Sequence, residues 1–292
     1  MKNTRDTLQK FLFEHAPIRG ELVHLDQTWQ SVIERHHYPA VLRDLMGELA
    51  AAAALLAATL KLQGSLVLQI HGKGAVKLLV VECSGNLELR ATAKWDGELE
   101  HGTLKDWVGD GRFVITLDPK DGNQAYQGIV ALEGNSVADI LQNYMTRSEQ
   151  LDTRLWLAAD GQCAAGMLLQ KLPEQKGRDA DAFERASQLA ATLKREELLS
   201  LPAAELIHRL YHEEDIRLFG AQGVTFNCSC SRDNVARMLK MLGQKEVAQI
   251  FAERDDIEVF CEFCNQRYVF DRVDADAVFS DLMAMLSNKT LH

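Results

Sequence analysis

Four cysteines near the C-terminus stand in two close pairs, Cys228-Ser229-Cys230 and Cys261-Glu262-Phe263-Cys264. Zinc takes four soft ligands at tetrahedral corners about 2.3 Å from the metal, and two closely spaced cysteine pairs brought together by folding supply such a set. The leading reading is therefore one zinc ion per chain, held by Cys228, Cys230, Cys261 and Cys264 as thiolates. Asn265 follows the second pair, at the turn of a metal knuckle where a left-handed residue is called for, and asparagine tolerates that conformation. Thiolates around a metal are nucleophilic and oxidisable unless the protein seals them. A disulfide closed within Cys-x-Cys would make a very small, strained ring with a comparatively oxidising potential. The residues by themselves leave two roles open: a structural zinc that never cycles, and a centre that oxidant switches.

In either role the metal carries much of the local fold. Structural zinc contributes on the order of 10 kcal/mol, and a segment of roughly sixty residues has little core to replace it. Loss of the thiolates is expected to unfold the segment.

Other reactive residue types form no second centre. Cys83 and Cys163 sit in or beside strand-like runs and read as inert buried thiols. His36 and His37 end a helical stretch, and His208 and His212 share a helical face without a third ligand nearby. Nucleophile elbow, paired catalytic carboxylates and triad order are all missing, so the sequence leads to the expectation of a protein that is not an enzyme.

The elements that position the cysteines follow from hydrophobic spacing. Helical periods occur over Thr4 to His15, Thr28 to His37, Tyr38 to Lys61 and Ser136 to Ser148. Strand-like runs cover Leu66 to His71, Val76 to Cys83, Leu87 to Trp95, Arg112 to Leu117, Ala125 to Leu132, Arg154 to Ala159 and Ala165 to Leu169, separated by Gly- and Asn/Asp-rich turns. Hairpins with interspersed helices predict an α+β fold with antiparallel sheets. The polar stretch from Pro173 to Asp181 marks a boundary. Beyond it, Ala182 to Leu199 and Pro202 to Glu214 read as two amphipathic helices, with Phe183, Leu189, Leu193, Leu206, Ile207 and Leu210 as their apolar stripe. Such helices must dock on a neighbour to be stable. Short helices around Val235 to Leu242 and Val247 to Phe251 precede two strands in Ile257 to Phe270, with Cys261 and Cys264 at the bend. The expected domains are an N-terminal α+β core over 1–172, a helical linker over 173–225 and a small zinc-binding domain over 226–292.

Charge and hydropathy set partners and place. The 292-residue chain has a formal net charge of −10, which disfavours nucleic acid and anionic membrane. The most apolar run, Leu49 to Leu60, is shorter than the ~20 residues of a membrane span and reads as a buried helix. The N-terminus lacks the uninterrupted apolar core of a secretory signal, so a cytoplasmic location is expected.

The cysteine pattern resembles that of the redox-regulated heat-shock holdase of bacteria, the thirty-three-kilodalton chaperonin family. So do Arg19-Gly-Glu-Leu-Val23, Tyr126 to Leu155 and Leu201 to Asp215, and the likeness spans nearly the whole chain. The resemblance implies an ATP-independent holdase, inactive when reduced and zinc-bound. Oxidant would join Cys228 to Cys230 and Cys261 to Cys264, expel zinc, loosen the zinc domain and linker, and open apolar surface to unfolding clients. It also implies dimerisation on activation. Two rivals are a zinc-dependent nucleic-acid module and a thiol oxidoreductase. Residues 226–292 hold eight Lys and Arg against eleven Asp and Glu, net −3, the wrong sign for phosphate binding. Cys261 and Cys264 belong to an expected hairpin rather than the helix N-terminus that lowers a thiol pKa.

Overall fold

The computed structural model describes residues 5–60, 63–99, 102–119, 124–173 and 181–279. It divides into two compact units, Met1–Asn227 and Cys228–His292. In chain order the first unit contains β1 (Thr7–Phe13), β2 (Ile18–Leu25), α1 (Gln27–Ile33), α2 (Ala40–Leu60), β3 (Gly64–His71), β4 (Val76–Ser84), β5 (Glu88–Trp95) and α3 (Leu104–Val108). It continues through β6 (Arg112–Pro119), β7 (Tyr126–Val130), α4 (Val137–Arg147), β8 (Thr153–Ala159) and β9 (Ala164–Lys171). Then come α5 (Ala182–Ala190), α6 (Arg195–Ser200), α7 (Ala203–Tyr211), β10 (Ile216–Leu218), β11 (Gln222–Gly223) and β12 (Thr225–Phe226). The second unit has α8 (Arg232–Leu242), α9 (Gln244–Glu253), β13 (Ile257–Phe260) and β14 (Arg267–Phe270). The polar stretch expected as a boundary lies, apart from Pro173 and Asp181, outside the described residues.

The architecture is the expected α+β. One sheet has the order β10-β1-β2-β9-β8, with β11 also on β1, and the other the order β12-β5-β4-β3-β6-β7. Except for the parallel β12–β5 pair, all their pairings are antiparallel. Between the sheets runs α2. Its centre, Leu49 to Leu55, is wholly buried, and it packs on strands of both sheets. Alanine on every side lets two sheets approach one helix closely, which is why this run is apolar all round rather than striped.

The first sheet is covered on both faces, and β1 and β2 divide their side chains between them. Leu8, Val23 and Leu25 join the core around α2. Phe11, Phe13, Ile18 and Leu22 point the other way, into a second core with Met167 and Leu169. The lid of that second core is the segment after residue 181: Phe183, Leu206, Ile207, Leu210 and Tyr211 are buried in it. Tyr211 meets Phe13 edge-on at 5.0 Å and donates its hydroxyl to the Ala186 carbonyl at 3.2 Å. His24 donates from Nε2 to the Leu198 carbonyl at 2.6 Å, and Arg195 approaches Asp44 at 3.7 Å. The docking surface that the amphipathic stripe requires is therefore the outer face of this sheet. Each fully buried Leu or Phe there contributes about 1.5–3 kcal/mol.

The segment Arg19-Gly-Glu-Leu-Val23 does a different job at each position. Arg19 bonds Gln170. A Cβ on Gly20 would fall inside the Phe11 ring, which lies across it from the neighbouring strand. Glu21 is buried beside Lys10 at 3.7 Å, and burial raises its pKa to about 7, against the lowering effect of Lys10 and Arg19.

Three expectations are corrected. Thr7–Phe13 is a strand, not a helix. Buried on both faces, it carries apolar residues in both phases, so Leu8 and Phe11 imitate a helical period. Ile18–Leu25, for which no element was expected, is β2; its charged and glycine positions face specific partners and hide the strand. The single helix expected over 182–199 breaks after Ala190, where Thr192 and Leu193 close tight turns back to Leu189 and Ala190 at 3.1 and 3.0 Å. The turn seats α5 and α6 separately on the sheet. Beyond the helices the linker also pairs as strands: β10 and β11 edge the first sheet and β12 edges the second.

Candidate metal centre

The second unit holds the four cysteines on two structures that the sequence encodes locally. Cys228 and Cys230 lie in an irregular stretch just before α8. Ser231 caps that helix by accepting from Asn234 N at 3.2 Å, and Asn234 Nδ2 reaches back to the Ser229 carbonyl at 2.9 Å, fixing the course of Cys-x-Cys. Cys261 and Cys264 occupy the turn between antiparallel β13 and β14. The knuckle is closed by Cys261 N donating to Gln266 O at 3.0 Å and Asn265 N to Cys261 O at 2.8 Å. Asn265 has φ 56°, the left-handed conformation that its type tolerates.

Folding brings all four sulfurs within 4.8 Å of one another. Cys228 Sγ lies 3.7 Å from Cys261 Sγ, and Cys230 Sγ lies 3.3 Å from Cys264 Sγ. Four ligands at about 2.3 Å around a tetrahedral metal are separated by about 3.8 Å, so this donor set fits such an ion. No disulfide joins any two of the six cysteines. The four of the cluster are half-buried, and among the described residues they form the only group of three or more metal-binding side chains brought so close.

Two side chains that sequence reading missed support the centre. Tyr268 on β14 donates its hydroxyl to Cys230 Sγ at 3.1 Å. Burial pushes the Cys230 thiol up, but the hydrogen bonds from Tyr268 and the neighbouring cysteines outweigh it and leave the pKa below the ordinary thiol value. Arg232, the first residue of α8, donates to the Val269 carbonyl at 2.7 Å, pairs with Asp274 at 2.6 Å and lies over the Phe270 ring at 4.2 Å. It thereby ties the Cys-x-Cys side of the centre to the hairpin. An aromatic residue four positions after the last cysteine was the available signal for Tyr268. The core beneath is small, built on Leu239, Val247, Phe251, Ile257, Phe270, Ala275 and Phe279.

The remaining candidates do not join the cluster. Cys83 is fully buried, and burial raises its pKa to about 12. Half-buried Cys163 donates to the Leu199 carbonyl at 3.5 Å, and burial raises its pKa to about 11. His208 and His212 meet edge to face with ring centroids 6.1 Å apart. No described helix is long and apolar enough to cross a membrane.

An α+β core roofed by its own linker, followed by a compact unit built on a four-thiol cluster, defines a two-unit protein with a terminal module able to hold a metal ion. The chain belongs to the Hsp33 family: the family model described as Hsp33 protein matches residues 6–271. It is 56% identical to the 33 kDa chaperonin of Methylobacillus flagellatus, covering 98% of this chain and 99% of that one. It is 54% identical to the 33 kDa chaperonin of Chromobacterium violaceum, covering 95% of each. The crystal structure of the 33 kDa chaperonin of Thermotoga maritima superposes with a TM-score of 0.82 over 96% of this chain and 100% of that one, at 19% identity. The family is one of chaperones.

Proposed function

We propose that this chain is a redox-regulated, ATP-independent holdase of the cytoplasm, inactive while Cys228, Cys230, Cys261 and Cys264 hold one zinc ion. The observation that carries this reading is the second core of the first unit. A broad apolar sheet face, with Phe11, Phe13, Ile18 and Leu22, is roofed by α5–α7, and the roofing segment runs in sequence straight into the cysteine cluster.

Zinc bound there cross-links two chain segments that share only a small core. Peroxide takes two electrons from each cysteine pair and is reduced to water; Cys228 joins Cys230 and Cys261 joins Cys264. Disulfide sulfur is a poor metal ligand, so the oxidised residues give up zinc and with it the main contribution offsetting the unit's chain entropy. The unit and the linker then unfold. The uncovered sheet face and the linker's own stripe bind non-native chains with little sequence preference, and two activated chains associate. The net charge of −3 over residues 226–292 favours protein clients over nucleic acid.

The test is zinc released per chain on peroxide treatment, measured beside suppression of aggregation of an unfolding client. Both should rise together and reverse with thiol reductant plus zinc. Turnover in an insulin-reduction assay would favour a thiol oxidoreductase instead.

A further inference from the structure

Residues 215–223 are held to β1 by backbone pairing and by exposed ion pairs, Arg217 with Glu14 and Asp215 with His15 at 2.8 Å, and of their apolar side chains Ile216 alone packs on a core. Val224 N donates to the Asp6 carbonyl at 2.9 Å, Phe219 N to the Lys10 carbonyl at 3.0 Å, and Glu14 N to the Asp215 carbonyl at 2.9 Å. These bonds fix the direction of β1: Asp6, Lys10 and Glu14 turn their peptide groups to the outer edge, and by alternation so do Leu8 and Leu12. Opposite them, Leu218 and Phe219 are 44% and 47% exposed, and residues 219–223 are exposed throughout. The paired elements are only three and two residues long. A cover of this kind satisfies the donors and acceptors of β1 while adding little buried apolar area, so little is lost when it leaves.

Without that cover β1 would be a seven-residue edge strand, rich in apolar residues and bordered by the exposed face of Phe11 and Phe13. Long apolar edges recruit other chains, and proteins ordinarily blunt them. We infer that the outer edge of β1 is a strand-addition site, taken in the activated protein by an extended apolar segment of a non-native client in place of residues 215–223. This rests on the proposed switch and specifies how its clients are held. Backbone pairing is independent of sequence, which suits a holdase, and alternate client side chains lie over the Phe11 and Phe13 face for added affinity. The edge of β5 is a poorer site. Its cover β12 pairs over two residues only, beside the fully buried Val224 and Phe226, whose ring Arg35 covers at 4.6 Å.

Residue-resolved amide exchange on the full-length protein tests this. Three samples are compared: reduced and zinc-bound, peroxide-oxidised, and oxidised with a cysteine-free client diluted from urea. On oxidation the outward amides of Leu8, Lys10, Leu12 and Glu14 should exchange at least about tenfold faster, and saturating client should slow them again. Those of Gln9, Phe11 and Phe13, which face β2, should stay slow throughout. A period-two return of protection that requires client supports strand addition. Client held in solution while the outward amides remain fast overturns it and leaves the switch standing. Protection that returns without client and grows with protein concentration also overturns it, in favour of a second copy of this chain. If oxidant neither releases zinc nor induces client holding, the switch reading fails and this inference with it.

Discussion

Tyr268 donates its hydroxyl to the sulfur of Cys230 across 3.1 Å, the one described contact from a tyrosine to the thiol cluster. A hydrogen bond to a thiolate draws off electron density and makes the sulfur a weaker nucleophile toward peroxide. Removing it should sensitise the centre without dismantling it. Tyr268→Phe is expected to bind one zinc per chain as before and to release it several-fold faster at a fixed peroxide concentration, followed with a chromogenic chelator. An unchanged release rate would show that the hydroxyl does not set the threshold.

The ligand set is tested by removal. Cys261→Ser with Cys264→Ser leaves two sulfurs, too few for a closed structural site. Elemental analysis should find no retained zinc, and residues 228–279 should become protease-sensitive while the sheets of the first unit stay intact. Zinc retained at one per chain would move the site elsewhere.

The linker is held by side chains that can be shortened. Leu206 and Leu210 are 0% and 4% exposed in the second core, and replacing each with Ser should cost about 2 kcal/mol or more. The reduced double variant is expected to suppress aggregation without oxidant and to be cut within residues 181–226. A reduced variant as inactive and as protease-resistant as the wild type would show that this stripe does not hold the linker.

The four-thiol cluster was legible because cysteine spacing and turn chemistry are local properties. Cys228, Cys230, Cys261 and Cys264 announce themselves, and Asn265 marks its own left-handed turn. Helix α2 was legible for the same reason, as was the hairpin pattern from β3 to β9. What escaped was non-local. Residues 216–223 carry exposed side chains such as Arg217 and Gln222, and only pairing with β1, some 200 residues earlier, makes them strands. Leu8 and Phe11 misled because a strand buried on both faces loses its alternation. Tyr268 was missed because an aromatic residue four positions past Cys264 does not by itself reveal a reach to Cys230, which depends on the register that sets Val259 opposite Tyr268.

Buried acids give the first unit a specific pH response. Burial raises Glu21 from 4.5 to about 7, and Lys10 and Arg19 only partly oppose it; Oε2 of Glu21 has no hydrogen-bond partner. Between those two values the unfolded chain loses a proton that the folded one keeps. The contribution is therefore fully present below pH 4.5, declines as pH rises through 7 and is level above. Glu21→Gln should flatten this slope and stabilise the protein at pH 8 by up to about 3 kcal/mol relative to wild type, by urea unfolding. His24 opposes this trend, since burial lowers its pKa from 6.5 and its contribution is lost as pH falls, so the comparison is variant against wild type at each pH. Parallel profiles would mean that Glu21 ionises freely in the fold.

Gly20 couples the motif around it to the linker. Phe11 lies over Gly20 from the adjacent strand, where a Cβ would collide with the ring. The same ring stands 6.2 Å from Phe13 and 6.2 Å from Tyr211 of α7. In Gly20→Ala the new methyl must push Phe11 outward, into the aromatic group that seats the linker. Overpacking of this kind costs about 1–3 kcal/mol, and here the strain falls on the interface between sheet and lid. The reduced variant should unfold at lower urea and be cut sooner within residues 181–226. Less peroxide should then suffice to start client holding, although no zinc ligand has been touched. Gly223→Ala is the matched control: a Cβ there meets nothing within 4 Å, so its stability and oxidant threshold should remain those of the wild type. If Gly20→Ala lowers global stability but leaves linker proteolysis and the peroxide threshold unchanged, the Phe11 ring supports only the sheet and has no part in seating the lid.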